Sequence, residues 1–537
     1  MISSTPLASW LLASVLTTVA NSPPCPDLSF SNLPPGLGGV APSGVGLEQA
    51  YQWQSYRRAR EQERFLEALE PAAVLAKYRA VSQSMIANEC VPTPVLIDLG
   101  RALFLRNFTP SEGLGNDLSD RHASAGLSAR PNRRRLGAGT FGGPEALSCK
   151  DCHWRGGMAG AGDRADNVFM GGAGDTVDGQ EQLMAPSLWG AGWIELLARE
   201  MSEDLIAQRD RAIDAVRANG RAVTIDLSTK GIPFGSIQVR PSLDHLQSQP
   251  RVDYRGIDGI SSDLIVRPFG WRGRYQSIRE SVVGQSHLHL GLQAEELSES
   301  RVESRPLPWL DLGLNHSTDP DNDGVEKELT LGQISALSSY LATLRPPRTI
   351  IPTNGPDIGE SMTAELQLSP SSELIHRWGA GARQFQALGC ADCHRPYLEL
   401  EDSIWSTGPS KAEGFAFDLA EFVEPSFRAR RQGKLAVPVF SDFRRHAMGE
   451  YLEQIDAVTG EVSDEYLTRP LWGLASTAPW MHDGRATTLD EAILLHGGPG
   501  SEALSSAQAY EALGESERTA IRVYLMSLQR PASIRIR

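Results

Sequence analysis

Four of the six cysteines of this chain fall into two copies of one five-residue pattern, Cys-x-x-Cys-His. Two thiols at this spacing can add to the two vinyl groups on one edge of a haem, and the adjacent imidazole is then placed to bind the iron. The pattern therefore predicts two covalently attached c-type haems, one in each half of the chain. The residues that it assigns to attachment and to the proximal iron position are Cys149, Cys152, His153, Cys390, Cys393 and His394.

Two other chemistries use closely spaced cysteines. A structural zinc ion needs four clustered ligands, and no further cysteine lies near either pair. A thioredoxin-like dithiol has no need of the histidine, and here the histidine occurs twice. Haem attachment therefore remains the prediction for both motifs. The remaining Cys25 and Cys90 either form a disulfide or stay as two unpaired thiols.

The N-terminus has the pattern of an export signal. An apolar stretch over residues 6–16 is followed by small residues and a plausible cleavage point after Ala20. No Lys or Arg precedes the stretch, so a disordered N-terminal tail is the alternative. A signal peptide over residues 1–20 predicts a periplasmic or secreted protein, which agrees with haem attachment outside the cytoplasm.

Composition and charge exclude several classes of partner. Hydrophobic residues make up 41% of the chain and charged residues 22%, an ordinary globular balance. The net charge of −15 argues against binding to nucleic acid or to an anionic membrane surface, because both require a basic patch. The apolar stretch at the N-terminus is too short to span a bilayer, and no later segment has enough unbroken apolar residues. The chain is therefore predicted not to span a membrane.

The two halves of the chain repeat the same series of segments in the same order. A helix-like segment precedes each haem motif, a Trp-Gly segment and then a Gly-Arg segment follow it, and an amphipathic helix closes each half. Four matches in one order indicate a duplication. The matched pairs are residues 93–104 with 378–388, 186–190 with 469–473, 271–280 with 482–491, and 336–344 with 520–528.

The duplication predicts a mainly α fold of two cytochrome c-like domains with long loops, plus a helical N-terminal extension. The 51 glycines and 34 prolines indicate that much of each middle region is loop. Pro346-Pro347 marks the linker. The expected boundaries are a signal peptide at 1–20, the extension at 21–92, the first haem domain at 93–347 and the second at 348–537.

Four further stretches carry a family resemblance. They are residues 385–394, 440–449, 477–485 and 488–498, which contain Phe-x-x-Leu-Gly-Cys, Phe-Ser-Asp with His-Ala-Met-Gly, Trp-Met-His-Asp-Gly-Arg, and Leu-Asp-Glu-Ala with His-Gly-Gly. With these motifs the chain resembles the di-haem cytochrome c peroxidase/MauG-like superfamily, most closely its di-haem oxidoreductase branch of peroxidase-like and thiol oxidoreductase-like proteins. The resemblance extends over roughly residues 93–530 and is more specific in the C-terminal half.

The resemblance implies that the second haem has two axial ligands and passes electrons. In the family the distal ligand follows the Leu-Asp-Glu-Ala helix, which is His496 here. A bis-histidine haem of His394 and His496 would result. Met448 and Met481 are the rival ligands, and a methionine would raise the reduction potential relative to a second histidine. His482 is expected to be a hydrogen-bond partner at the haem edge.

The resemblance also implies that the first haem is the reactive one, with an open iron face for hydrogen peroxide. Peroxide chemistry needs an acid–base group above the metal. Where peroxidases of the superfamily have a Glu, this chain aligns His289, which either moves the proton or binds and closes the iron. Glu195 is the weaker acid–base candidate, and Trp189 and Trp271 are candidates to line the pocket or the path between haems.

One acidic segment suggests calcium. Asp319, Asp321 and Asp323, followed by Gly324, have the spacing of the start of an EF-hand loop, but Thr330 stands where the loop's last ligand, a Glu, is expected. A calcium site with other ligands and a plain acidic turn both fit. Relatives in the di-haem superfamily often carry calcium between their domains.

The function predicted from the sequence is an exported di-haem peroxidase that takes electrons from a small cytochrome or a cupredoxin. Two alternatives stay open. One is a di-haem electron-transfer protein without catalysis, and the other is an oxidase or oxygenase of an organic or protein substrate.

Overall fold

The computed structural model describes residues 81–115, 146–170, 181–242, 249–296, 324–347, 372–408, 413–423, 430–431, 433–456 and 460–529. The signal peptide, most of the N-terminal extension, Cys25 and the three aspartates of the predicted calcium site lie outside these residues. Of the extension, one short helix is described. Cys90, which follows it, takes part in a disulfide.

The described residues form ten α-helices. In chain order, α1 to α10 are Gln83–Ala87, Thr93–Leu105, Ala191–Asn219, Ile278–Gln285, Leu331–Ala342, Ser372–Ala387, Cys390–Cys393, Leu489–Leu494, Leu504–Glu511 and Glu515–Met526. The helices predicted before each haem motif are α2 and α6, and the predicted closing helices are α5 and α10. The sequence prediction is confirmed for all four helices. Among the described residues, no helix is both long and apolar enough to cross a membrane.

In the first half, α2 crosses α5 at very short range. A Cβ on Gly100 of α2 would clash with the Ala336 carbonyl and with Tyr340 of α5, so only glycine allows this approach. Beside the crossing, the rings of Phe104 and Tyr340 pack 5.5 Å apart. Both aromatic residues are buried.

The second half repeats this crossing with α6 and α10. Gly381 of α6 lies against the Ala520 carbonyl and Tyr524 of α10, and the rings of Phe385 and Tyr524 are 5.4 Å apart. The two crossings match residue by residue, which gives the sequence duplication a physical basis. In each half, the pair of packed helices supports the haem motif that follows the first of the two helices in the chain.

The strands are the part of the fold that the sequence reasoning missed. A three-stranded antiparallel sheet in the order β3-β4-β5 packs against the 29-residue α3. The remaining strands form a second three-stranded sheet, β6-β10-β9, and four two-stranded antiparallel pairs, β1-β2, β7-β8, β11-β14 and β12-β13. The strands β1 to β14 are Val168–Met170, Glu181–Leu183, Val223–Thr229, Ile232–Arg240, Arg251–Ile257, Leu398–Leu400, Ile404–Thr407, Phe415–Asp418, Arg430–Arg431, Lys434–Val437, Arg445–Ala447, Gln454–Ile455, Val462–Ser463 and Glu465–Leu467.

The two Trp-Gly segments pack on each other reciprocally. The ring of Trp472 occupies the space where a Cβ on Gly190 would be, and the ring of Trp189 occupies the corresponding space at Gly473. Both glycines have positive φ, 71° and 70°, and both tryptophans are buried. This arrangement is that of a pseudo-two-fold contact between the two copies of the repeat.

Candidate haem sites

The second Cys-x-x-Cys-His motif lies on one turn of helix. Gly389, with φ of 82°, separates α6 from α7. Helix α7 carries both cysteines of the motif, and His394 follows it directly. The His394 Nδ1 atom is 3.1 Å from the Phe440 carbonyl oxygen. A ring N–H that donates to this carbonyl leaves Nε2 with its lone pair available for a metal. Burial, together with the neighbouring His496, lowers the pKa of His394 to about 4, so the ring is neutral at pH 7.

His496 faces His394 across a cavity. It follows α8, and its Nδ1 lies 2.7 Å from the Ala492 carbonyl oxygen, so its Nε2 is also available. The two ring centroids are 6.5 Å apart. Two imidazoles on one metal need two metal–nitrogen distances of about 2 Å plus the ring radii, which comes to about 6 Å. The pair therefore has the separation that an iron between them requires.

The cavity between these histidines has a volume of about 400 Å³. Its lining is mostly apolar, as a porphyrin face requires, and includes Phe385, Leu489, Ile493 and Leu525. Both cysteines line it too, and neither is in a disulfide. These residues fit a haem that is attached through Cys390 and Cys393. The rival ligands Met448 and Met481 and the predicted edge residue His482 line the same cavity.

The first motif forms a short 3-10 turn, Cys149–Asp151. The Asp151 carboxylate stabilises the turn by accepting hydrogen bonds from the backbone N–H groups of Leu147 and Ser148, each 3.0 Å long. The His153 Nδ1 atom is 3.3 Å from the Gly160 carbonyl oxygen. Burial lowers the pKa of His153 to about 4, so this ring too is a neutral metal ligand. Cys149 and Cys152 are not in a disulfide and fit the same attachment.

His289 lies close to this first site. The α4 helix continues into a π-helical turn, Ser286–Leu290, which carries the half-buried His289. His289 is near enough to His153 to lower its pKa electrostatically. Single π-helical turns are frequent at functional sites. The structure therefore brings His289 and His153 together, as expected for a distal-site residue.

The register of the repeat shows that His289 and His496 are not equivalent. The helices α4 and α8, which precede His289 and His496, begin with the same kind of N-cap. The Ser277 hydroxyl accepts a hydrogen bond from the Glu280 N–H, and the Thr488 hydroxyl accepts one from the Glu491 N–H. Counting from these caps, the position of His496 is occupied in the first half by Gln285. His289 follows four residues later, about one helical turn further along.

Glu195 lies on α3 and is 6% exposed. Its carboxylate accepts a hydrogen bond of 2.9 Å from the Ile278 backbone N–H at the start of α4. Burial raises the pKa of Glu195 to about 7. Glu195 thus anchors the helix that leads to His289, and its acid–base role stays a prediction.

Several aromatic side chains line the cavity of the second site. Trp271 and His482, which occupy matching positions of the repeat, have ring centroids 6.4 Å apart. Tyr466 stacks on His482 at 4.6 Å. The Trp271 indole N–H donates a hydrogen bond of 2.7 Å to the Met184 carbonyl, and the Met184 N–H donates one of 2.6 Å to the His482 carbonyl. These residues line the cavity of the second site, as Trp189 does. That the two tryptophans line the first haem pocket or a path between the haems stays a prediction.

A buried ion cluster, which the sequence reasoning did not find, joins the two halves. Glu181 is fully buried and pairs with Arg272 at 2.7 Å and with Arg274. Arg272 also lies 3.4 Å from Asp456 and 4.3 Å from the centre of the Tyr466 ring. No local sequence signal announces such a cluster, because its members are separated by up to 275 positions.

A second feature missed from the sequence lies at the edge of the second site. The His446 Nε2 atom is 3.0 Å from the Asp442 carboxylate, and its Nδ1 is 2.7 Å from Glu502 and 4.0 Å from the Cys393 sulfur. Ligand atoms of Cys393, Asp442 and His446 lie within 4.8 Å of one another. The spacing of four between Asp442 and His446 was visible in the sequence, but nothing there pointed to Glu502.

Comparison with known proteins gives one matching family model and several similar solved structures, including two crystal structures. Residues 371–528 match the family model described as "Di-haem oxidoreductase, putative peroxidase". The crystal structure of the diheme peroxidase BthA from Burkholderia thailandensis E264 is 12% identical, with 81% of this chain and 86% of that chain covered and a TM-score of 0.32. The crystal structure of a MauG-like protein associated with microbial copper homeostasis is 14% identical, with coverages of 54% and 78% and a TM-score of 0.26.

Likenesses of this size to solved structures carry no argument about the present chain. The search of curated proteins finds no match. The family model, in contrast, matches the C-terminal part, where the sequence resemblance is most specific. Residues 371–528 are therefore similar to the di-haem oxidoreductase family, in agreement with the motifs of that part of the chain.

Proposed function

We propose that this chain is an exported di-haem c-type peroxidase that reduces hydrogen peroxide at the first haem and receives electrons through the second. Each peroxide takes up two electrons and two protons, its O–O bond breaks, and two waters form. The observation that carries the proposal is the difference between the distal positions. His496 stands opposite His394, whereas Gln285 occupies the matching position in the first half.

When bound, the haems supply iron that exchanges single electrons and, where an axial position is open, reacts with peroxide. Cys149 and Cys152 would hold the first haem, and His153 would bind its iron. The Gly160 carbonyl orients His153 through Nδ1. Such a bond to the second ring nitrogen fixes the tautomer and the ring plane.

His289 is the group of the first site that moves protons in this proposal. A neutral imidazole accepts a proton at one nitrogen while it donates one from the other. It can therefore take a proton from one peroxide oxygen and deliver it to the other, as the Glu does in peroxidases of the superfamily.

The second site performs electron transfer. His394 and His496 would ligate its iron from both sides and leave no position for peroxide. In this proposal the path toward the first site runs by way of Trp271, His482 and the reciprocal pair of Trp189 and Trp472, all of which line the cavity of the second site. The proposed donor is a small cytochrome or a cupredoxin on the outside of the cytoplasmic membrane.

The proposal is tested on the full chain after haem attachment. We expect a pyridine haemochrome assay to give two c-type haems per chain. Electron paramagnetic resonance should show one low-spin and one high-spin ferric haem, with catalytic turnover of hydrogen peroxide. Two low-spin haems in every redox state and no reaction with peroxide would establish the electron-transfer alternative, in which His289 binds the first iron. Oxygen consumption with organic substrates, without peroxide turnover, would favour an oxidase.

A further inference from the structure

His446 lies on β11 with both ring nitrogens against carboxylates. Pairing of β11 with β14 places His446 opposite Tyr466 and directs it to the cavity of the second site. Asp442 faces Nε2 at 3.0 Å, and Glu502 faces Nδ1 at 2.7 Å. The His446 side chain is 6% exposed.

This geometry defines the charge of His446. An ionised carboxylate only accepts hydrogen bonds, so a ring nitrogen within 3.0 Å of one must carry a proton. Because both nitrogens face a carboxylate, His446 is an imidazolium. Burial alone would lower the pKa of His446, whereas the hydrogen bond to Asp442 raises it. With both nitrogens protonated, His446 has no lone pair for a metal.

The cation lies at the edge of the second haem site. Its Nδ1 is 4.0 Å from the Cys393 sulfur, which becomes a thioether sulfur in the proposed function. The two carboxylates differ in their surroundings. Asp442 is buried, with its side chain 2% exposed, whereas the Glu502 side chain is 46% exposed and is screened by water.

We propose that His446 is a fixed cation that raises the reduction potential of the second haem and so sets it to accept electrons from the donor. Reduction adds one negative charge to a haem, and a positive charge in a buried site favours the reduced form. Asp442 holds the imidazolium in place and opposes part of its effect. This inference rests on the proposed function, because it requires a haem on Cys393.

Among the residues that the structure describes, the group of Cys393, Asp442 and His446 is the sole cluster of three histidine, cysteine or carboxylate ligand atoms within 4.8 Å of one another. No second cluster of this kind occurs at the described part of the first site.

The test is a spectroelectrochemical titration of the haem-loaded full chain. His446→Gln removes the cation and leaves two carboxylates, so the midpoint potential of the second haem should shift in the negative direction. Asp442→Asn removes a buried anion, so the same potential should shift in the positive direction. Arg377→Gln, which removes an exposed cation on α6 that pairs with Glu373, is the matched control and should leave the potential unchanged.

Opposite signs are the decisive result, since a structural disturbance of the site would shift both buried variants in one direction. Shifts of the same sign, or unchanged potentials in both variants, would overturn the inference. If either buried variant does not take up haem, Glu502→Gln replaces it at an exposed carboxylate and should give a smaller positive shift. Absence of that shift would also overturn the inference. Haem content of the unmodified chain separates the two proposals, because fewer than two c-type haems contradicts the proposed function itself.

Discussion

The two candidate haem sites share a proximal side and differ on the distal side. His153 and His394 both point Nδ1 at a backbone carbonyl, and burial lowers the pKa of each to about 4. On the distal side, one site has His496 within a 3-10 turn, and the other has His289 on a π-helical turn. The two halves thus share the proposed proximal side and differ in the short segment that, in the proposed function, decides what reaches the iron.

The largest expected effect tests whether the two sites hold haem independently. Cys149→Ser and Cys390→Ser should each remove covalent haem from one site only, because each takes away one of the two thiols that attach it. Haem content by pyridine haemochrome should fall from two to one in either variant. Unchanged haem content in both variants would refute covalent attachment at these motifs.

The next effect concerns the distal difference. His289→Ala should lower kcat/KM for hydrogen peroxide by about 10² to 10⁴-fold, the usual contribution of a positioned acid–base group. Because a Glu stands at this position in peroxidases of the superfamily, His289→Glu should retain activity. The exposed His376→Ala on α6 is the control and should leave the rate unchanged. If His289→Ala instead converts a low-spin first haem to high spin and raises activity, His289 is an iron ligand.

A pH effect follows from Glu195, which anchors α4. Its pKa is raised from 4.5 to about 7 in the folded chain, so folding favours its protonated form. The contribution of this carboxyl to the free energy of unfolding is greatest below its unfolded pKa. It is lost as the pH rises from about 4.5 through 7, by up to about 3 kcal/mol. Thermal unfolding of the Glu195→Gln variant should lack this loss, whereas a parallel pH profile in variant and parent would show that the carboxyl does not titrate on unfolding.

The smallest expected effect concerns the reciprocal contact between the two Trp-Gly segments, a feature that both halves of the chain share. Gly190→Ala and Gly473→Ala each place a Cβ in the ring of the opposite tryptophan at a positive φ. Overpacking of this kind costs about 1–3 kcal/mol. We expect similar losses in denaturant unfolding for the two variants, because the contact is reciprocal. Gly231→Ala, also at positive φ but with open space around it, separates backbone strain from the clash.

The features predicted well are those with short-range signatures. Two Cys-x-x-Cys-His motifs, the matched order of segments and the four helices before and after them could be read from residue types and spacing, and the family match at residues 371–528 agrees. The β3-β4-β5 sheet and the buried cluster around Glu181 could not be predicted from the sequence, because they depend on pairing between residues that are distant in the chain.

By itself, the sequence determined which residues can attach haem, because thioether chemistry and the adjacent histidine require a rigid local spacing. It also determined the repeat and the amphipathic helices, which depend on local periodicity. Only the tertiary structure decided that His496 faces His394 at 6.5 Å and that His446 lies between two carboxylates beside Cys393. The physical reason is that axial pairing and the charge of a buried group depend on groups brought together by folding, often from distant parts of the chain.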